Sequence, residues 1–424
     1  MMNQHKKAKT LLSLFLLCFV FLFGCQSSND KTAQSQSSSE VKTENYSDMS
    51  FDDLKKKAEG TEVTFYGWGG DEQLNNWLKN VYAPHMKEKY NIKMNIVGMD
   101  IEDILNQMTN EKQADKKDSD IDMIWINGEN FKTAKENDLL YGPFTSALPN
   151  FKQYINQDDN EVKQDFGYPI DGYEAPYGKA QLVMMKDSAK APETPKNAQE
   201  FLEFAKAHPG QVTYPALPDF TGSAFVRNII YEFVDPKKFT EMKDINKENV
   251  KKLIEPALAY LRELNPYLWN QGKSFPSSST EQEKMYENGE LIFHVSYGSF
   301  DNATGLEEGR YPEKSETFIF DKGTIGNTNY MGIAKNSGNI PGAMVAINEM
   351  MSPEMQLSRY KELKNIPVVD NDKLSKDQQQ DFSEVKLGEG IISQEDLLKH
   401  RLPEPPSAFV PLIEEIWQEE VVGK

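Results

Sequence analysis

The residues of this chain with chemical potential are spaced to hold a ligand, and none is spaced to transform one. Trp68-Gly69-Gly70 directly follows an apolar run. Glycines let a backbone approach a ligand closely, and an indole offers a flat face for stacking or a cation–π contact. Asn127, Glu129 and Asn130 end another apolar run, where neutral amides can read a heterocycle edge and a carboxylate can hold a cation. Asp219, Thr221, Gly222 and Ser223 lead into a helical pattern. Free N–H groups and two hydroxyls there suit a phosphate, carboxylate or other polar group, and Asp219 suits a cation. Tyr177, Tyr297 and Tyr330 pair an apolar face with a polar tip, which suits a cleft between lobes. Each motif also has a plainer reading: a core tryptophan between turn glycines, a strand-to-helix turn, a helix cap, a packed tyrosine.

Catalytic patterns are thin. His85, His208, His294 and His400 are scattered, with no pair at metal-ligand spacing. Neither G-x-S-x-G nor the Walker A pattern occurs. Asp370-x-Asp372 starts like a calcium loop, but Leu374 and Ser375 stand where a ligand and a glycine belong. The expectation is therefore no catalytic residue, no metal and no cofactor.

With 66 acidic against 47 basic side chains, the formal charge is −19 over 424 residues. That excludes a general nucleic-acid binder, which needs a basic face. Both cysteines, Cys18 and Cys25, lie in the first 25 residues, so no disulfide staples the body. Lys6, Lys7 and Lys9 precede an apolar run from Leu11 to Phe23 interrupted by Ser13. The run is short for a bilayer and reads as a signal peptide. It ends in Leu22-Phe23-Gly24-Cys25, which resembles the bacterial lipobox, whose cysteine takes a lipid such as palmitate and becomes the mature N-terminus. The next stretch is Ser-, Gln-, Lys- and Glu-rich and too polar to fold alone. The expected order is 1–24 signal peptide and 25–58 lipidated flexible tether.

From Glu62 onward, strand and helix patterns alternate, which predicts parallel sheets with covered faces and ligands beyond the carboxyl ends of the strands. A helix is expected after Thr194 as N-cap with Pro195 at its first position. The runs Ala175–Asp187 and Gly323–Ala334 look like crossings between two lobes, with hinges near 175–181 and 324–334. Lobe 1 would span 59–175, lobe 2 would span 176–324, and 325–424 would return to lobe 1 and add C-terminal helices. Phe409, Leu412, Ile413, Ile416 and Trp417 form an apolar stripe expected to pack on a lobe.

This combination resembles the extracellular solute-binding proteins that feed ABC importers. Trp125-Ile126-Asn127-Gly128-Glu129-Asn130-Phe131, Pro218-Asp219-Phe220-Thr221-Gly222-Ser223-Ala224-Phe225 and Gly172-Tyr173-Glu174-Ala175-Pro176 look like the YnjB-type family. The resemblance covers about Glu62 to Lys424. It implies a two-lobed α/β periplasmic-binding-protein fold (type II), each lobe a mainly parallel sheet flanked by helices. It also implies a monomer anchored outside the cytoplasmic membrane that passes a small solute to an ABC permease and its ATPase. Thiamine or a related small cationic compound is the usual suggestion for the family's ligand. An extracellular hydrolase, or a sensor without a permease, are the competing classes.

Cys25 is the sole acyl acceptor at the end of the apolar run. Cys25→Ala is expected to release the protein from the membrane fraction, and a full-length variant that still sediments with membranes would end the lipoprotein reading.

Overall fold

The computed structural model describes residues 45–424. The expected signal peptide, lipobox and most of the tether lie outside the described residues. The tether's expected end at residue 58 is corrected. Phe51–Ala58 is a helix capped by Ser50, whose side chain accepts the Asp53 N–H, and it buries Leu54 and Ala58 in a core. Phe51, Leu54 and Ala58 at helical spacing give this short stretch an apolar side that the polar segment before it lacks. Among the described residues, no helix is long and apolar enough to cross a membrane.

The strands that matter are β1 (Glu62–Gly67), β2 (Lys93–Gly98), β3 (Met123–Ile126), β4 (Leu140–Tyr141), β5 (Glu174–Gln181), β6 (Val183–Asp187), β7 (Phe293–Ser296), β8 (Ser315–Phe318), β9 (Thr324–Ala334) and β10 (Arg401–Pro403). A first sheet runs β10-β9-β3-β1-β2, and β9 also pairs with β4 and β5. β1 is parallel to β2 and β3, whereas β9 runs antiparallel to β3, β4 and β5. A second sheet, β8-β6-β7, is antiparallel throughout.

The two-lobed α/β class stands, but strand direction in the second lobe departs from expectation. Helix–strand alternation predicts parallel neighbours only when each strand enters from the same end. β6 instead runs on from β5 after a single residue and is inserted between β7 and β8, so it runs against both. The helix expected from Thr194 starts later, at Ala198. Asn197 outcompetes Thr194 as cap because its side chain accepts the Glu200 N–H, while the Glu200 carboxylate accepts the Lys196 N–H.

Two apolar cores flank the strand pair β5·β9. One collects Val63, Phe65, Trp77, Tyr82 and Met86 with Ala343–Ile347 of the helix Ile340–Met350. The other collects Phe201, Phe225, Phe293, Tyr214 and the C-terminal stripe. β5 gives Ala175 and Tyr177 to the first core, and the chain just beyond it gives Leu182 to the second. β9 gives Ile325 to the second core and Met331 and Ile333 to the first. The last helix, Val410–Glu420, thus packs on the second core, although the chain has already returned to the first.

Trp417 anchors that helix. It is 1 % exposed, donates its indole N–H to the Tyr214 hydroxyl at 3.0 Å and lies edge-on to Phe275. Trp417→Ala is expected to lower unfolding free energy by about 3–5 kcal/mol in a denaturant titration. A change below about 1 kcal/mol would mean that the helix is loosely docked.

Candidate functional site

The site is built on β9, which runs between the cores. Side chains two residues apart share a strand face, so Asn327 and Asn329 lie together; the register shift comes after them, between Asn329 and Tyr330. The Asn329 Oδ1 accepts the Trp125 indole N–H at 3.1 Å and the Asn127 amide at 3.0 Å. Asn127 stands at the N-cap position of the helix Gly128–Glu136, but its side chain does not cap; it goes to Asn329. Asn327 is 4 % exposed, and neither its amide nitrogen nor its oxygen has a hydrogen-bond partner.

On the first-lobe side, the loop after β1 is held by Asn75, whose amide donates to the Trp68 and Gly69 carbonyls at 3.1 and 3.3 Å. The indole folds over Gly70, where an added Cβ would lie 2.4 Å from the ring, and remains 42 % exposed. Gly69 packs on Gly98 so closely that a Cβ on Gly98 would lie 2.9 Å from the Gly69 Cα. Asp71 caps the next helix through the Leu74 N–H. Glu129 sits in the first turn of Gly128–Glu136, and among the described residues no cation forms an ion pair with it.

On the second-lobe side, helix Phe220–Phe233 places Ser223 and Arg227 one turn apart. Arg227 is 1 % exposed and donates to both Glu404 oxygens, at 2.8 and 3.0 Å. Its remaining nitrogen donates to Ser223, which donates to Glu414 at 2.6 Å. The Tyr297 hydroxyl donates to Glu404 at 2.7 Å, and its ring stands edge-on to Phe220. Glu404 directly follows Pro403, the last residue of β10, which pairs with Gly326 next to Asn327.

The electrostatic balance is acidic. Arg227 is committed to Glu404 and Ser223. Burial pushes the Glu129 carboxyl up and the charge of Glu404 adds to it, while Arg227 opposes. Burial likewise pushes up Glu414 and Asp71. Asp165, fully buried and accepting the Gly128 N–H, is pushed up by burial and then by Glu129 and Glu404. A second guanidinium, Arg401 of β10, pairs with Glu161 and donates to the Ala180 carbonyl at 2.7 Å. A third, Arg359, lies 4.0 Å from the Tyr177 ring centroid and against Gly178; burial lowers its pKa, with Asp71 opposing.

With this geometry in view, the comparisons decide the family. The family described as bacterial extracellular solute-binding protein matches residues 81–383. Protein YnjB of Escherichia coli (strain K12) is 34 % identical over 376 residues, covering 86 % of this chain and 92 % of YnjB. The chain belongs to the bacterial extracellular solute-binding proteins. Solved structures with the same fold include an ABC transporter protein from Clostridium perfringens ATCC 13124, with TM-score 0.59 and 19 % identity over 84 % of this chain and 98 % of that one. Another is a putative spermidine/putrescine ABC transporter protein from Listeria monocytogenes, with TM-score 0.58 and 17 % identity over 86 % and 99 %. Membership places the chain among extracytoplasmic solute-binding components of ABC transporters, and its relatives are binding proteins rather than enzymes.

Within this solute-binding chain, the residues singled out by sequence divide. Ser223 and Tyr297 belong to the Arg227–Glu404 network, Glu129 feels its charge, Asn127 bonds to Asn329, and Trp68, Gly69 and Gly70 form an exposed rim at the end of β1. Asn130 sits half-buried in the first turn beside Glu129. The anion cradle at 219–223 is corrected. The Gly222 N–H is taken by the Asp219 side chain, and the Ser223 N–H by the Asp219 carbonyl. The second Asp219 oxygen accepts the Ser279 N–H at 2.9 Å, so Asp219 is a cap with both oxygens in use. Thr221 is buried, and Gly222 is pressed against the Pro215 carbonyl. Tyr177 is packed under Arg359, and the Tyr330 hydroxyl donates to the Glu161 carbonyl.

Sequence reasoning passed over Asn327, Asn329, Arg227 and Glu404. The Gly326-Asn327-Thr328-Asn329 run was visible as Asn-rich, and Arg227 stands four residues after Ser223 on one helix face. Glu404 lies 177 residues from Arg227 and carries no local signal. Folding also gathers His85, Glu349 and Glu354 on the first lobe, away from this site, with the Lys89 ammonium 2.8 Å from Glu349 supplying positive charge there.

Asp301 gives the site a pH signature. The residue is exposed at the surface, yet loss of solvation among the surrounding protein atoms raises its pKa from 3.8 to about 7, with Glu283 and Asp71 adding, while a hydrogen bond from Ser296 and the charge of Arg310 oppose. The fold thus favours its protonated form, and that stabilisation is present below the ordinary carboxylate range and lost as pH rises through about 7. Melting temperature without ligand is expected to fall between about pH 4 and 7, and Asp301→Asn to flatten that fall. An unchanged slope in the variant would remove Asp301 as its source.

Proposed function

We propose that the chain captures a small organic cation between its lobes, closes on it, and presents it to a membrane permease and its ATPase. The observation that carries the cation is the acidic surplus: Glu129 and Glu414 are half-buried with raised pKa values, while Arg227 is committed to Glu404. A cation placed there would restore the ionised forms and replace lost solvation. The exposed Trp68 indole offers such a ligand a stacking face, so an aromatic cation of the thiamine type is the leading candidate. Hinges near 175–181 and 324–334 would carry the closure, because β5 and β9 continue from one core to the other. In this reading Cys25 holds the monomer to the outer face of the membrane by lipid, with the signal peptide removed. Family membership favours this transport role over a hydrolase.

A thermal-shift screen of the purified protein against thiamine, other vitamins, polyamines and sugars would identify the ligand, since binding to the folded state alone raises the midpoint. Calorimetry should then show Glu129→Gln and Trp68→Ala each weakening a cationic ligand by roughly tenfold. Asp219→Asn, which alters a cap, should leave affinity near wild type. Scattering with saturating ligand should show a smaller radius of gyration. Wild-type affinity in both the Glu129 and Trp68 variants, or an unchanged scattering profile, would overturn this reading.

A further inference from the structure

Asn327 is the anomaly of the site. A buried amide without a partner is costly, and native structures rarely leave one so. Here both ends of one amide are orphaned at 4 % exposure. On its strand face, the next polar side chain toward the first lobe is Asn329, already engaged by Trp125 and Asn127. Toward the second lobe the paired register ends at Gly326↔Pro403, and the residue after Pro403 is Glu404, engaged by Arg227 and Tyr297. Networks on both sides are internally bonded, and Asn327 between them is not.

We propose that Asn327 reads a polar edge of the solute that carries a hydrogen-bond donor beside an acceptor, such as a primary amide or an amino-substituted nitrogen heterocycle. This deepens the cation reading and rests on the same cleft being the binding site. An asparagine side chain offers one acceptor oxygen and one donor nitrogen side by side. A ligand edge of the opposite order satisfies both, with the amide free to turn either way. A polyamine supplies donors alone and would leave the Asn327 nitrogen orphaned, and a bare metal ion would do the same. The predicted solute therefore carries positive charge for the Glu129 region and a separate neutral edge for Asn327.

Four probes separate the two features: 1-methylnicotinamide has charge and edge, 1-methylpyridinium charge only, nicotinamide edge only, and pyridine neither. In calorimetry, 1-methylnicotinamide is expected to bind at least tenfold more tightly than 1-methylpyridinium. Asn327→Leu should erase that gap, whereas Glu129→Gln should erase the advantage of charge and keep that of the edge. Asn327→Asp, which keeps the shape and loses the donor, serves if the leucine variant does not fold, and should narrow the gap in the same way. Equal binding of 1-methylnicotinamide and 1-methylpyridinium would overturn the Asn327 assignment and leave the cation reading standing. Equal binding of nicotinamide and 1-methylnicotinamide, both above pyridine, would do the reverse. A gap that survives both Asn327 variants, or no binding by any probe, overturns the assignment.

Discussion

The pairing of β5 with β9 is the constraint on which the rest depends. Seven register pairs, from Gly326↔Gln181 to Gly332↔Glu174, tie together two segments about 150 residues apart in the chain. Each of these segments serves both apolar cores, so neither lobe's core is independent of the crossing. The same pairing sets the floor on which Asn327 and Asn329 stand. It also aligns β10, and with it Glu404, against the start of β9. A one-residue slip would turn both asparagines to the opposite face and carry Ile325 out of the second core. Apolar burial at the two ends of β9 therefore holds the polar middle in place.

That polar middle would be unstable if it stood alone. Buried carboxylates lose solvation, and the structure offsets this in two ways. Glu404 receives a bidentate guanidinium and a phenol, which restores most of what water supplied. Half-buried Glu129 and Glu414 receive less, and loss of solvation pushes their pKa values up. The division follows from position. Arg227 comes from a helix interior whose packing fixes its direction, whereas Glu129 belongs to a helix start that faces the other lobe. Opposite lobes thus bring like charge toward one another.

Much of this was legible in the sequence, and the illegible parts have a common cause. Strand ends at Gly67 and Ile126 follow from apolar runs broken by Gly and Asn, because those signals are local. The late start of the helix at Ala198 turned on which of two polar residues caps it. Strand direction in the second lobe turned on β6 being inserted between two later strands, a fact of chain path that no local pattern carries. The misjudged role of Asp219 is instructive. Its side chain has the same sequence signature whether it caps a helix or meets a ligand, and the distinguishing partner, Ser279, is 60 residues away. Arg227 and Glu404 are a long-range pair of the same kind.

On the proposed reading, closure and selectivity become one property. Bringing the lobes together would desolvate Glu129 and Glu414 at once, and each must then take a proton or face a cation. At neutral pH a proton is scarce for a group of ordinary acidity, so an empty cleft closes against a cost that a bound cation removes. A neutral solute of the same shape would leave that cost in place however well it stacked on Trp68. The Asn327 amide adds a second condition of the same form, since its two orphaned atoms are solvated when the lobes part and unsatisfied when they meet. A ligand that answers only one condition shifts the closed population less than one that answers both, because closure responds only to differential affinity for the two states. A permease that engages the closed form would then see a signal filtered twice, by charge and by edge, before transport begins.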